Sequence, residues 1–227
     1  MGCDIHICIQ AQDADGEWRE IQWQQAPYNY EGAEKPVPDI PIAPEQFRSR
    51  NYDLFAILAD VRNGVGFAGI KTGEGWPSIA PDRGLPDGFQ EDALLPDPCY
   101  PEDAQRYIGD HSFTWIALDE LKSFAWDVTA TQIYGVVPAG EYERLTVERA
   151  IPRSYSGGIV GAGIVTYEPD AYRLAKTNGV LAKRPYVRMA WTETAREATN
   201  NWPGDVIPWL DSLAAGRPLR LVLGFDS

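Results

Sequence analysis

The chain opens with alternating apolar and polar positions, the period of two that is typical of a β-strand with one face in the core. From residue 3 to residue 9 the odd positions are Cys, Ile, Ile and Ile, and two of the even positions are Asp4 and His6. Turn chemistry at Asp13-Ala14-Asp15-Gly16 then leads into a second strand-like segment over 17–23. The pattern predicts a hairpin whose first strand carries Asp4 and His6 as neighbours on one face.

Helical spacing of apolar residues begins after Asn51, a suitable N-cap, and predicts a helix over 51–61. The remaining periodic segments predict, in chain order, a strand over 113–118, a helix over 120–126 capped by Asp119, a strand over 129–137, a helix over 169–176, a strand over 186–191, a helix from Asp205 to just before Gly216, and a strand over 220–225. This order favours an α+β fold built on a mixed β-sheet with short helices.

Two stretches have few periodic apolar residues and many prolines or glycines, around residues 24–50 and 63–110. Long loops of this kind in a compact domain are more often functional than accidental. At 227 residues the chain fits one domain, 1–227, with these two stretches as loop-rich insertions.

Composition narrows the classes of partner. A net charge of −13 is unfavourable for tracking the phosphates of a nucleic-acid polymer, although a few arginines can still hold a small anion in a cleft. No apolar run approaches the ~18–20 residues of a membrane span. The three cysteines lack a CxxC spacing, which favours reduced thiols and a cytoplasmic location. The oligomeric state is not indicated by any pattern.

The chain has two histidines, and each has an aspartate close by: Asp4 with His6, and Asp110 with His111. If the Asp110 segment folds against the first strand, both acid–imidazole pairs meet at one site. One imidazole would then act as general base and the other as general acid, and the aspartates would orient the rings.

Other residue types suit a phosphate-bearing ligand. Arginines bind phosphate through a two-pronged fork, a serine hydroxyl donates to the same oxygens, and aromatic rings stack on a base. The candidates are Arg50, Arg62, Arg83, Ser112, Tyr52, Trp76 and Trp115.

Two alternatives to metal-free acid–base chemistry remain open. Mixed nitrogen and oxygen ligands suit a divalent metal, and the candidate ligands would be Asp4, His6, Asp110 and His111. In the second alternative His6 has only a structural role, as a buried imidazole hydrogen-bonded to the main chain.

The chain also resembles a family of phage and prophage proteins. The resemblance rests on the start Met1-Gly2-Cys3-Asp4-Ile5-His6, on Arg50-Asn51-Tyr52-Asp53-Leu54-Phe55-Ala56, and on Asp110-His111-Ser112-Phe113-Thr114-Trp115. The family pattern has Asp-Gly-His where this chain has Gly109-Asp110-His111, so the role of Asp110 is less well supported than that of His111. The resemblance implies a phage origin, the host cytoplasm, and a polar site built from these segments.

Two functions follow as hypotheses. The first is a phosphoesterase that acts on a small nucleotide, such as a cyclic (oligo)nucleotide signal of host antiviral defence, with His6 and His111 as acid and base. The alternative is a non-catalytic protein that sequesters such a signal, for instance an ADP-ribose derivative, or one that binds and inhibits a host protein.

Overall fold

A computed structural model describes residues 2–25, 36–90 and 108–226 of the chain. Within these ranges seven strands form two sheets, and six α-helices accompany them, so the chain has an α+β fold as predicted. The strands are β1 (Asp4–Gln12), β2 (Trp18–Glu20), β3 (His111–Ala117), β4 (Ala130–Pro138), β5 (Ile164–Tyr167), β6 (Arg184–Thr194) and β7 (Leu219–Asp226). The helices are α1 (Tyr52–Ala59), α2 (Leu118–Ser123), α3 (Ala139–Glu148), α4 (Pro169–Thr177), α5 (Ala195–Ala198) and α6 (Trp202–Ala214).

The first sheet has the order β2-β1-β7-β3 and is antiparallel throughout. The register between β1 and β7 runs from Asp4↔Asp226 to Ala11↔Leu219. Strand β7 therefore has a hydrogen-bonded neighbour on each side, and all of its residues except Asp226 are buried. A central strand of this kind is expected to be apolar along most of its length, as Leu219–Phe225 is.

The face of this sheet that carries the odd residues of β1 packs against the helices and forms the main core. Helix α1 lies on this face, where the rings of Phe55 and Phe225 meet edge to face with their centroids 5.3 Å apart. The side chain of Asn51 caps α1 by accepting a hydrogen bond from the Leu54 amide at 3.0 Å. The predicted helix is therefore confirmed, although it ends at Ala59.

The other face of the sheet is covered by a smaller apolar cluster. Cys8, Ile108 and Val222 are its buried members, and the rings of Phe113 and Trp115 pack against them. His6 points to this face because it alternates with Ile5 and Ile7 of the main core.

The second sheet has the order β4-β6-β5, with β4 antiparallel and β5 parallel to β6. A mixed sheet agrees with the prediction from the element order. The sequence predicts only one sheet, however, and the structure has a second, fully antiparallel one. Helices α3 and α4 pack on it, with Ala139, Tyr172 and Val187 as buried contacts.

Several element boundaries differ from the prediction. Helix α2 begins at Leu118, so Asp119 lies in its first turn rather than at its cap. Helix α6 begins at Trp202 and not at Asp205 as predicted. Pro203 is compatible with this start because it lies in the first turn, where no intrahelical N–H is required. The sequence pattern does not predict helix α3. Parts of both predicted loop-rich insertions, residues 26–35 and 91–107, lie outside the described residues.

The described helices include none that is both long enough and apolar enough to cross a membrane.

Gly224 of β7 provides a test of this packing. A Cβ at this position would lie 1.9 Å from the carbonyl oxygen of Ile108, whereas a Cβ at Gly140 in α3 would meet nothing within 4 Å. We expect Gly224→Ala to lower the free energy of unfolding by at least about 2 kcal/mol, because backbone rather than a flexible side chain must shift. Gly140→Ala should be neutral or stabilising by up to about 1 kcal/mol.

Urea unfolding followed by tryptophan fluorescence measures both changes. Equal stability of the Gly224→Ala variant and the parent would contradict the close approach of the residue 108 backbone to β7.

Candidate functional site

A cleft of about 710 Å³ opens between the N-terminus of α1, helix α5 and the end of β6, and loops at residues 62–72 and 151–157 complete its wall. This volume is within the range of sites that bind small molecules in proteins, about 300–1,000 Å³. Arginines and tyrosines from separate parts of the chain line it, namely Arg50, Arg62, Arg153, Tyr52 and Tyr155. The cleft is therefore the candidate functional site.

The basic part of the cleft contains three of the ligand-binding candidates from the sequence. The guanidinium of Arg62 lies over the ring of Tyr52, 5.6 Å from its centroid. Arg50 also lines the cleft and binds the Asp4 carboxylate through two hydrogen bonds, of 2.7 Å from Nε and 2.5 Å from Nη2. Arg153 is exposed and forms no ion pair within the described part of the chain. The cleft thus brings together Arg50, Tyr52 and Arg62, three of the seven ligand-binding candidates from the sequence.

Two carboxylates line the same cleft, and each is held by an indole. The Nε1 of Trp76 donates to Asp53 at 2.8 Å, and the Nε1 of Trp191 donates to Glu193 at 2.7 Å. Burial raises the pKa of Asp53, and it raises the pKa of Glu193 with a further contribution from the negative charge of Asp53. The protonated form of each acid is therefore favoured relative to an exposed carboxyl group.

Tyr155 lies beside this acidic pair. Its ring packs edge to face on Trp191 with the centroids 4.8 Å apart, and its loop is fixed by backbone hydrogen bonds between Val136 and Ser156. Burial, followed by the charges of Asp53 and Glu193, raises the pKa of Tyr155 well above its ordinary value. The side chain is 37 % exposed, and its hydroxyl is protonated at neutral pH, as the ordinary tyrosine pKa of about 10 already requires.

Side-chain hydrogen bonds fix the part of the cleft lining that contains Asp53 and Glu193, here called the acidic wall. The amide of Asn63 accepts from the backbone N–H of Trp76 at 2.6 Å and donates to the Trp76 carbonyl at 2.8 Å, which fixes the residue that binds Asp53. The side chain of Asn51 donates to the carbonyl of Ala198 at 2.8 Å and so ties α1 to α5. These contacts give Asp53 a defined position.

His6 lies on the opposite face of the first sheet from α1, next to two carboxylates. Its Nε2 is 3.1 Å from the Oδ2 of Asp226, whose Oδ1 accepts the backbone N–H of Asp4 at 3.2 Å. The Arg50 guanidinium holds the pKa of Asp4 below its usual range. Asp4 and His6 do share a face, as predicted, but the carboxylate that contacts the imidazole comes from β7.

His111 points to the other face of the sheet. It pairs with Phe225, its ring stacks on the Phe225 ring at a centroid distance of 6.3 Å, and its Nδ1 lies 2.9 Å from the Ser112 hydroxyl. His6 pairs with Gly224, the next residue along β7, and successive residues of a strand point to opposite faces. The sheet therefore separates the two imidazoles that the sequence analysis places in one site.

A bulge in β3 explains this separation. The register shifts between His111 and Thr114, and Ser112 takes a left-handed conformation with φ of 53°. Asp110, the proposed partner of His111, is exposed, and its backbone N–H donates to the Phe225 carbonyl at 2.7 Å. Asp110 is thus held through its main chain, and its carboxylate does not orient the imidazole in the way that the sequence analysis expects.

The remaining candidates lie outside the lining of the cleft. Arg83 is held by two hydrogen bonds to Glu120, of 2.9 and 2.7 Å, and lies over the ring of Trp115. Trp76 is 5 % exposed, so it positions Asp53 and offers no free face for stacking. Among the described residues no group of three or more His, Cys, Asp or Glu side chains is arranged to hold a metal ion.

Sequence reasoning does not identify Asp53, Glu193, Tyr155 or Arg153 as site residues. An aspartate in the first turn of a helix is ordinarily explained by the helix dipole, so Asp53 carries no separate signal. The one local indication is the Trp191-x-Glu193 spacing, which places an indole and a carboxylate on the same face of a strand.

Comparisons with protein-family models, with curated proteins and with solved structures found no match to this chain.

We expect the folded protein to become more stable when one of the two carboxylates, Asp53 or Glu193, is neutralised. Because the pKa of Glu193 is raised in the folded protein, its ionisation costs stability above the folded pKa, and this cost disappears below the unfolded value of about 4.3. We expect Glu193→Gln to raise the free energy of unfolding by up to about 1 kcal/mol at pH 7 and to lose this advantage by about pH 4.

Thermal unfolding at a series of pH values measures this effect. Glu141→Gln on α3 is the matched control, because Arg144 lowers the pKa of Glu141 and its neutralisation should not stabilise the protein. A Glu193→Gln variant that is destabilised at pH 7 would contradict the unfavourable burial of this carboxylate.

Proposed function

We propose that the protein binds a small phosphate-bearing nucleotide in the cleft. The observation that carries the proposal is the convergence of Arg50, Arg62 and Tyr52 on one cavity of about 710 Å³. These three are among the seven ligand-binding candidates from the sequence, and Arg62, which follows the end of α1, lies over the ring of Tyr52 at its start. The proposal matches the small-ligand partner expected from the sequence.

The chemistry of these residues suits the two halves of a nucleotide. An arginine fork binds phosphate oxygens bidentately, and such charge-assisted hydrogen bonds are about twice as strong as neutral ones. The Arg62 guanidinium is held over Tyr52, so part of the entropy of ordering it is already lost before a ligand arrives. The tyrosine ring supplies an apolar face for a base or sugar.

Capture without turnover is the form of this function that the geometry favours. The two imidazoles proposed as acid and base lie on opposite faces of the first sheet, and neither histidine lines the cleft. A protein that captures a nucleotide signal needs only the arginines and the aromatic ring. The phage origin implied by the resemblance would make a host defence signal, such as a cyclic nucleotide or an ADP-ribose derivative, the natural ligand.

A phosphoesterase is the second candidate, and one contact favours it. The Nε2 of His6 is 3.1 Å from Asp226, so a carboxylate orients this imidazole as it would a general base. Asp4 lies opposite Asp226 and binds Arg50, which connects this group to the cleft. In this mechanism His6 takes a proton from water as the water oxygen bonds to phosphorus. The phosphorus–ester oxygen bond breaks, and the leaving alcohol oxygen takes a proton from the His6 imidazolium or from solvent.

Removal of Arg62 tests the binding proposal. We expect Arg62→Ala to weaken nucleotide binding by at least about tenfold, the loss expected for one charge-assisted hydrogen bond to phosphate. Arg173→Ala on the exposed surface of α4 changes the net charge equally and should leave the affinity unchanged. Isothermal titration calorimetry with GMP, AMP, ADP-ribose and a cyclic dinucleotide provides the measurement, and equal losses in the two variants would refute a specific role for Arg62.

The fate of the bound nucleotide distinguishes capture from hydrolysis. The protein is incubated with each nucleotide, heated to release the ligand, and the supernatant is analysed by chromatography. Capture predicts that the ligand is recovered whole from the parent and from His6→Ala alike. Products that form with the parent and disappear with His6→Ala, while that variant unfolds at the same temperature as the parent, would establish the phosphoesterase instead.

A further inference from the structure

The acidic wall of the cleft offers hydrogen-bond acceptors that no protein group satisfies. In both Asp53 and Glu193 one carboxylate oxygen takes an indole N–H, and the second oxygen receives no hydrogen bond from the part of the chain that the structure describes. Glu193 is only 8 % exposed, yet it lines the cavity. These oxygens face the cleft, so a ligand that brings N–H donors can form hydrogen bonds with them.

Tyr155 adds a donor beside these two acceptors. Its hydroxyl has no hydrogen-bond partner among residues 2–25, 36–90 and 108–226, and Tyr155 lines the same cavity as both carboxylates. A protonated phenol donates one hydrogen bond. The wall therefore presents one donor and two acceptors to whatever occupies the cleft.

We propose that Asp53, Glu193 and Tyr155 form a base-recognition subsite that selects a guanine nucleotide. The two carboxylates accept the N1–H and the 2-amino group of guanine, and the Tyr155 hydroxyl donates to O6. The inference rests on the proposed function, because Arg50 and Arg62 are to hold the phosphate of the same molecule.

Guanine is selected because its base-pairing edge has the complementary pattern. This edge presents an acceptor, O6, followed by two donors, N1–H and the 2-amino group. Adenine places the N1 lone pair where a carboxylate oxygen would lie, and cytosine and uracil each present two acceptors. A site whose groups match one pattern of donors and acceptors rejects an analogue that leaves those groups unpaired.

A ligand that is only cationic fits the cleft less well. Arg50, Arg62 and Arg153 line the same cavity as the carboxylates, and they would repel a polyamine or a free metal ion. A neutral base with N–H donors joined to a phosphate satisfies both parts of the lining at once.

Calorimetric titration with four probes tests this subsite: GMP, IMP, AMP and ribose 5-phosphate. The full chain should bind GMP about tenfold or more tightly than AMP, the discrimination that one well-placed pair of hydrogen bonds supplies, with IMP between them because it lacks the 2-amino group. Glu193→Gln and Asp53→Asn should each reduce the preference for GMP over AMP and leave the affinity for ribose 5-phosphate unchanged.

Two further variants separate the subsite from general effects on the cleft. Tyr155→Phe should reduce the affinities for GMP and IMP together, because both bases carry O6. Glu141→Gln removes a carboxylate from the exposed side of α3 and should change no affinity. Thermal unfolding of each variant establishes that it is folded at the temperature of the titration.

The failure of this inference is distinguishable from the failure of the proposed function. If all three nucleotides and ribose 5-phosphate bind with similar affinities, and Glu193→Gln changes none of them, the guanine subsite is refuted while phosphate binding by the arginines stands. If none of the four probes binds to the parent protein, both proposals are refuted.

Discussion

The antiparallel pairing of β1 with β7 is the constraint on which the rest of the structure depends. It places Asp226 beside His6, and it presents Phe225 to Phe55, the contact through which α1 packs on the sheet. The N-terminus of α1 in turn carries Tyr52 and Asp53 into the cleft. Loss of this pairing would remove both the imidazole–carboxylate contact and the support of the cleft.

The cleft contains carboxylates that lower the stability of the folded protein and hydrogen bonds that hold these carboxylates in place. Burial of the Asp53 and Glu193 pair costs stability at neutral pH, and the indoles of Trp76 and Trp191 offset only part of this cost with one hydrogen bond each. Groups that are destabilising and still held in place by neighbours are commonly found at functional sites. The two hydrogen bonds between the Asn63 side chain and the Trp76 backbone are such a support, because Trp76 is the residue that donates a hydrogen bond to Asp53.

The strands and helices could be predicted from the sequence where their periodicity is local. Alternation identifies β1, and the N-cap Asn51 with the apolar positions after it identifies α1. Neither signal shows which distant strand lies beside β1, so the contact of His6 with Asp226 could not be derived. The bulge at Ser112 is equally invisible in the pattern, although it decides which face His111 occupies.

Arg50, Arg62 and Tyr52 could be proposed as ligand residues from their type, but residue type also suggests Arg83, which lies outside the cleft, and does not identify Arg153, which lines it. The acidic pair could not, because Asp53 and Glu193 are separated by most of the chain and meet only when β6 of the second sheet reaches α1. Pairs of this kind depend on tertiary packing, and no window of sequence contains both partners.

Arg50 is shared between Asp4 and the cleft, and this has a consequence for the strength of binding. An incoming anion must compete with a carboxylate that already occupies the fork of the guanidinium. Asp4 therefore lowers the affinity of Arg50 for any anion that would enter the cleft, because its own two hydrogen bonds to the guanidinium would have to be given up.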